Sequence, residues 1–506
     1  MHIIKISLIL IIVSFANVTG IRSQSVQTPE SGISIFYLSN VTQMQPVEHG
    51  TRGGLARVST LRKRLILQTG EKTPASLFVF VGDTLSPSAE SNTFKGQQMI
   101  AAWNALELNY AVPGEHEFDF GPDVFSDRIK ESKFPWLSAN VVDKKTGKPF
   151  NLLKPYDIRL LAGINVGVFG LTLPDTETIS MPGPNIAFLD PCETAAKVVK
   201  EMLDRKAQMI VALSHLSAND NRRLARCVPR INLIIGGHDQ TGVQSFVGST
   251  PVVQVEPEAR SLGWLRVALR GGTLESMDLI NQTVTSETSD DPVVSNVLQE
   301  YTRRMSTDIN TVIGSTKVAL DARQDVIRTQ ETNLGNYITD VLRLSLGADV
   351  ALISGGSIRG NVVMTPGNIT KRDVLTLLPF VNPVQKLNIG GADLRRALEN
   401  GVSRIEDKSP RFPQVSGLTF AFDGRRPPGS RVVSIAVKGV PLDDKKIYTI
   451  ATTKYLVEGG DGYSMFSKAP LVSQGKTDTE ILTDAILNAK VIAPPTEGRI
   501  KRLDRQ

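Results

Sequence analysis

Three of the five histidines in the chain stand at the ends of apolar runs: His116 after "YAVPGE", His215 after "IVALS" and His238 after "LIIGG". Acids and amides occupy the same kind of position elsewhere. Asn40 follows "IFYLS", Asp83 follows "FVFVG", and Glu115 stands beside His116. A single strand-end histidine is more often structural, but three of them with an Asp and a Glu in the same relative place point to a metal or acid-base site. Imidazole mixed with hard carboxylate oxygen suits Zn, Mn, Fe or Co, whereas carboxylates alone suit Ca or Mg. Two such ions side by side can clamp a phosphoryl group and activate water, and Asp83, with two oxygens, is the natural bridge.

For these residues to meet, the elements before them must end together. From residue 32 to about 270, short apolar runs alternate with amphipathic helical patterns, which predicts a layered α/β fold. The strand candidates are "GISIFYLSN", "ASLFVFVGD", "LNYAVPG", "FPWLSANV", "INVGVFGLT", "MIVALSHLS" and "INLIIGGHD". Helical patterns fall between them, among them "GGLARVSTLRKRL" and "CETAAKVVKEMLDRKA". In an open α/β sheet the C-terminal strand ends share one edge, where ligands bind. The polar "TSETSDDP" followed by the helical "VVSNVLQEYTRRMSTDI" predicts a linker helix over residues 286–310. A second α/β unit then runs over 311–506, with "LGNYITDVLRLSLG", "ADVALISGG" and "KIYTIATTKYL" among its elements.

Composition narrows the class. The chain has 506 residues, 41% hydrophobic and 21% charged, enough for two or more domains with proper cores. A net charge of +6 without a Lys/Arg block argues against nucleic-acid binding and favours small anionic ligands. The opening "MHIIKISLILIIVSFANVTG" fits a secretory signal peptide over residues 1–25, which predicts a secreted or periplasmic protein. No later run reaches the roughly 18 apolar residues that cross a bilayer, and the charged "EGRIKRLDRQ" is no lipid-anchor signal, so no membrane anchor is expected. Cys192 and Cys227 are too few for a disulfide scaffold and sit in helix-like stretches, so their pairing stays open, as does the oligomeric state.

The motifs "GD" at 82–83, "GEHEFDFG" at 114–121, "LSANV" at 137–141, "SH" at 214–215 and "GGHDQ" at 236–240 resemble, in order and spacing, the metallophosphoesterase domain of the 5'-nucleotidase family. "ETNLGN", "SGGSIRG", "LPFVN" and "YTIATTKYLVEGGDGY" resemble its C-terminal domain. The resemblance implies a calcineurin-like α/β/β/α sandwich over 29–285 and a substrate-binding α/β domain over 311–506. It implies an exported, metal-dependent phosphoesterase acting on nucleotides, with one or two divalent ions, Mn, Zn or Co, per chain.

By position, the resemblance makes Asp83 the bridge between metals and makes Glu115, His215, His238, Gln240 and Asn40 the remaining metal positions. His116 would stabilise the transition state or protonate the leaving oxygen, with Asp119 orienting it. Phe380 and Tyr455 would sandwich the base, Arg359 would contact the phosphate, and Asp461 the ribose hydroxyls. Ser354 takes the place of a substrate-binding Asn, and Gln330 that of an arginine for which the nearby Arg328 could substitute.

The first metal motif departs from the family. Its Asp-x-His falls on Asn40 and Thr42, or in a shifted register on Val41 and Gln43, and neither restores an acid or imidazole. Glu115 stands where the family has Asn, so the carboxylate count is kept but redistributed toward the second metal. The expectation is that the second site binds metal well and the first weakly or not at all. A nucleotide-binding protein without catalysis, or a hydrolase of non-nucleotide or sulfur esters, are the rival readings. Asn40-Val-Thr42 also reads as a glycosylation sequon.

Overall fold

The computed structural model describes residues 31–504, apart from 49, 69–74, 240, 271–272 and 306. The stretch read as a signal peptide and the expected ligand Gln240 therefore lie outside the described residues.

Two sheets pack face to face in the first half. One has five strands in the order Thr273–Thr283, Ser261–Arg270, Ser31–Leu38, Ala75–Val81, Tyr110–Val112. The other has six, in the order Val243–Val247, Thr250–Gln254, Leu233–Gly236, Met209–His215, Ile164–Thr172, Tyr156–Leu161. Side chains alternate across each strand. Leu77, Val79 and Val81 join Met209, Val211 and Leu213 in the core between the sheets, while Phe78 and Phe80 meet Trp103 of the helix Gln97–Ala105 on the outer side. On the outer face of the second sheet, Ile210 and Ala212 pack on Val198 and Met202 of the helix Pro191–Asp204. The result is a four-layer α/β/β/α sandwich, the layering expected from the resemblance.

The outer helices follow from local sequence. Pro191–Asp204 starts at Asp190, whose side chain accepts a hydrogen bond from the Glu193 N–H, and has Pro at its first position. It buries Ala195, Val198, Val199 and Met202, a spacing that keeps them on one face. Ser217 caps Ala218–Cys227 in the same way. A disulfide between Cys192 and Cys227, whose Cα atoms are 6.0 Å apart, joins the start of one helix to the end of the other.

One expectation changes. "FPWLSANV" is not a strand along its length: it makes isolated bridges at Trp136 and Leu137, and only Val141–Asp143 is extended into a pair. Pro135 cannot donate to a ladder, and the Asn140 side chain ties the run to the backbone of Thr172 and Leu189 instead. The helix Pro292–Arg304, within the segment 286–310, buries Val294, Leu298 and Tyr301 against the core of the first half.

In the second half a five-stranded sheet runs Pro413–Ser416, Val350–Ser354, Ile447–Thr453, Pro383–Gly390, Leu471–Thr477. Helix Asn333–Leu346 contributes to the core on one face and helix Gly391–Val402 to the core on the other. No helix among the described residues is long and apolar enough to cross a membrane.

Candidate active site

The strand ends converge, but from two sheets rather than along one edge. Asn40, Asp83 and Glu115 follow strands of the first sheet, and His215 and His238 those of the second. His215 continues the inward series Met209, Val211, Leu213, so alternation delivers its ring between the sheets. Asn40, Asp83 and His238 have φ values of 52°, 66° and 72°. This left-handed backbone is uncommon for residues other than glycine and collects at functional sites.

Glycines make room for the His215 ring. A Cβ on Gly82 would lie 2.0 Å from its Nδ1, one on Gly237 2.7 Å from Nδ1, and one on Gly114 2.6 Å from Nε2 and 2.3 Å from Asp83 Oδ1. Each of these glycines immediately precedes Asp83, Glu115 or His238.

Inside this cage, His215 Nδ1 donates to the Val81 carbonyl at 2.9 Å, which turns Nε2 toward Glu115 Oε2 at 3.0 Å and Asp83 Oδ2 at 3.2 Å. His238 Nδ1 is 3.2 Å from Glu115 Oε1. Burial opposes charge on both rings, yet Asp83 and Glu115 raise the pKa of His215, and Glu115 that of His238. Burial likewise opposes the Glu115 carboxylate, but the histidines hold its pKa well below the usual range. A divalent cation competes for the positions of such protons.

The donors suit a metal. One ligand atom each from Glu115, His215 and His238 lie within 4.8 Å of one another, as do atoms of Asp83, Glu115 and His116. The Val81 carbonyl fixes the His215 tautomer, the kind of outer support that ligating histidines receive.

Asn40 holds the two sheets together at this point. Its Oδ1 accepts from the His238 N–H at 3.2 Å, while its Nδ2 donates to the His238 carbonyl at 3.3 Å and to Asp83 Oδ2 at 3.4 Å. These partners fix which end of the amide is oxygen. Buried to 3% exposure, Asn40 has no room for a glycan. Thr42 points elsewhere, its hydroxyl donating to Glu258 Oε1 at 2.8 Å.

Glu117, which looks from sequence like a neighbour of the working residues, clamps two strand ends. Its carboxylate accepts from the backbone N–H groups of Asp83, Thr84, Leu85 and Gly114 at 3.0, 2.7, 3.2 and 2.5 Å. Burial and the Asp83 charge push its pKa up to about 7 against those bonds.

His116 stands beside the cluster, its N–H 3.1 Å from Asp83 Oδ1. Asp119 Oδ2 holds Nδ1 at 2.7 Å and is itself steadied by Ser180. The opposite nitrogen, Nε2, is 2.9 Å from Nη2 of Arg359, in the other half of the chain. A guanidinium only donates, so Nε2 presents its lone pair and the ring is neutral in this contact. Burial also disfavours charge, but Asp119 and Asp83 would carry the pKa of the ring up to about 9. Phe380 stacks on His116 with centroids 6.0 Å apart, and the Arg359 guanidinium lies 5.3 Å from the Phe380 centroid.

A cavity of about 1550 Å³ opens over these residues. Glu115, His116, Asp119 and His238 line it from one half, and Arg359, Phe380, Tyr455 and Asp461 from the other. Arg328 and Arg411 also reach its wall, and with Arg359 each buries an Nε atom that has no hydrogen-bond partner, an arrangement that suits an anionic guest. Arg328, rather than Gln330, lies on the wall, and its pKa is lowered by burial and by Arg359. Ser354 is fully buried and off the wall, its Oγ 3.1 Å from that of Ser357. Tyr455 Oη donates to Asp461 Oδ1 at 3.3 Å.

The family model for the 5'-nucleotidase C-terminal domain matches residues 312–468. The solved structure of a 5'-nucleotidase precursor from Thermus thermophilus superposes with a TM-score of 0.86 at 32% identity, over 94% of this chain and 100% of that one. The chain belongs to the 5'-nucleotidase family. It is also 31% identical, over 87% of its length, to the trifunctional nucleotide phosphoesterase YfkN of Bacillus subtilis, of which it spans 34%. A 5'-nucleotidase of Diplobatis ommata is 29% identical, with 84% of this chain and 81% of that protein aligned. These relatives are hydrolases of phosphoric esters, and none supports the non-catalytic reading.

Proposed function

We propose that the protein is an exported, metal-dependent phosphoesterase that hydrolyses the phosphate of nucleotides. The observation that carries this reading is the setting of His116. It lies between Asp119 and Arg359, next to a three-donor metal cluster and on the wall of a cavity lined by aromatics from the other half.

Glu115, His215, His238 and Asp83 would hold the metal, which supplies Lewis-acid activation when bound. The chain's own residues do the rest. Arg359 turns from His116 to the phosphoryl oxygens, a site built for bidentate recognition. Once Arg359 has left Nε2, His116, whose pKa, against burial, Asp119 and Asp83 carry up to about 9, takes up a proton there and, oriented by Asp119, delivers it to the leaving oxygen. Phe380 and Tyr455 hold the flat base by stacking, and Asp461 takes the ribose hydroxyls. Asn40 acts as a strut rather than a ligand, since both ends of its amide are engaged. The division into a sandwich unit, a connector over 286–310 and a substrate-binding unit belongs to the same proposal. Export draws support from the Cys192–Cys227 disulfide, a bond of oxidising compartments.

The test is phosphate release from a panel of nucleotides with added Mn, Zn or Co, comparing the natural protein with His116→Ala. Release above the variant is expected with at least one nucleotide. No such release under any metal would sink the enzymatic reading.

A further inference from the structure

Asp83 has two sides. Toward Glu115, His215 and His238, nitrogen and oxygen donors face one another across short gaps and gather within 4.8 Å. Toward Asn40 the contact is different in kind: an amide N–H group points at Asp83 Oδ2. A hydrogen-bond donor aimed at a carboxylate occupies the direction from which a cation would approach it.

The next residues in the loop are tied away from the centre. Glu258 takes the Thr42 hydroxyl on Oε1 at 2.8 Å, and the backbone N–H groups of Thr42 and Gln43 on Oε2, both at 3.1 Å. The Glu258 N–H in turn donates to the Asn40 carbonyl at 2.8 Å. Three main-chain bonds and one side-chain bond thus lock the segment 40–43 onto one acid. The turn that presents this acid is itself unusual. Glu258 and Ala259 both have left-handed φ values, 55° and 51°, and Gly53 lets the chain pass, since a Cβ there would lie 2.4 Å from the Glu258 carbonyl. Two consecutive non-glycine residues in this region persist only where their surroundings hold them. Among the described residues, neither cluster of acids and imidazoles that could hold a metal includes Glu258.

We propose that the centre holds a single divalent ion, on Glu115, His215, His238 and Asp83, and that Asn40 and Glu258 together close the neighbouring position to a second. This rests on the reading of the centre as a metal site and adds its stoichiometry and the residues that set it. Asn40 supplies hydrogen bonds to Asp83 and His238 in place of a cation. Glu258 is a positioning residue, since it reaches the centre only by holding the loop of Asn40 and Thr42.

Metal content decides it without reference to turnover. Metal-free protein is loaded in turn with Zn, Mn and Co, freed of loose metal by gel filtration and analysed by mass spectrometry, with calorimetric titration alongside. One tightly held ion per chain is expected, and the Mn-loaded protein should give the paramagnetic spectrum of isolated ions. The variant Asn40→Asp/Thr42→His/Glu258→Gln should bind a second equivalent and show coupling between neighbouring Mn ions. Two tight ions in the natural protein would overturn the single-ion proposal and leave the metal site standing. No bound ion with any of the three metals would overturn both. A triple variant that melts normally yet still holds one ion would overturn the role given to Asn40 and Glu258. Should that variant fail to fold, the stoichiometry and Mn spectrum of the natural protein still decide the count.

Discussion

Arg359 Nη2 lies 2.9 Å from His116 Nε2, although 243 residues separate them in the chain. This contact joins the part of the site that would bind phosphate to the part that would move its proton. It also gives the arginine two possible partners, the imidazole and an incoming anion. Replacing Arg359 by Ala removes a charge-assisted interaction of about 1.5–3 kcal/mol. A fall in kcat/KM of roughly ten- to a hundredfold is expected for nucleotide substrates. Unchanged kcat/KM would remove Arg359 from the phosphate.

His116→Ala should lower kcat by about 10²- to 10⁴-fold, the usual weight of a positioned acid or base. Metal content should stay the same, because Asp119 and Arg359 occupy the two ring nitrogens. Loss of metal together with activity would make His116 a ligand instead.

Gly114→Ala places a methyl group 2.3 Å from Asp83 Oδ1 and 2.6 Å from His215 Nε2. Metal affinity is expected to drop by at least about tenfold, since disturbing the surroundings of ligands commonly has that effect. Gly390→Ala is the control, having ordinary backbone angles and nothing within 4 Å of the new methyl. Equal metal affinity in the two variants would contradict the glycine cage.

Breaking the disulfide with Cys192→Ser and Cys227→Ser releases a 35-residue separation. Loop-closure entropy puts the loss near ~4 kcal/mol, and denaturant unfolding measures it. A change below about 1 kcal/mol would show that the two capped helices hold each other without the bond.

Asp349 accepts hydrogen bonds from Lys438 Nζ and from the Thr449 N–H and hydroxyl. Lys438 first, and then Thr449, bring its pKa down to about 2. A depressed carboxyl contributes stability above its unfolded value of about 4, and that contribution is lost as pH falls toward about 2. With more than a third of the side chain in solvent, the contribution is discounted to about 1 kcal/mol. Asp349→Asn should therefore be less stable at neutral pH and converge on the natural protein as the acid range is reached. Parallel stability curves would refute the ion-pair account.

The buried strands were readable because their two faces are both apolar. Ala75–Val81 and Met209–His215 stand out as runs of Val, Phe, Ile and Leu bounded by polar ends. Edge strands were not. Val243–Val247 and Tyr156–Leu161 are partly solvated, so no apolar run marks them. The helix Pro122–Glu131 buries only Phe125 and Ile129, too few for a clear stripe. Glu258 was missed for a related reason: an acid in a loop looks solvated until the fold brings Thr42 and Gln43 onto it from 216 and 215 residues away.

The sequence by itself determined which residues could do chemistry. Histidines and acids after apolar runs, with a glycine before Asp83, Glu115 and His238, reflect local needs that a chain must meet in its own residues. It also shows that positions 40 and 42, onto which the resemblance would place an Asp and a His, carry Asn and Thr. The tertiary structure alone decided what occupies that place. Hydrogen bonds are directional, and the Asn40 amide takes its orientation from His238 and Asp83, while Thr42 takes its own from Glu258. The meeting of His116 and Arg359 was likewise a matter of how the two halves pack, which no spacing along the chain records.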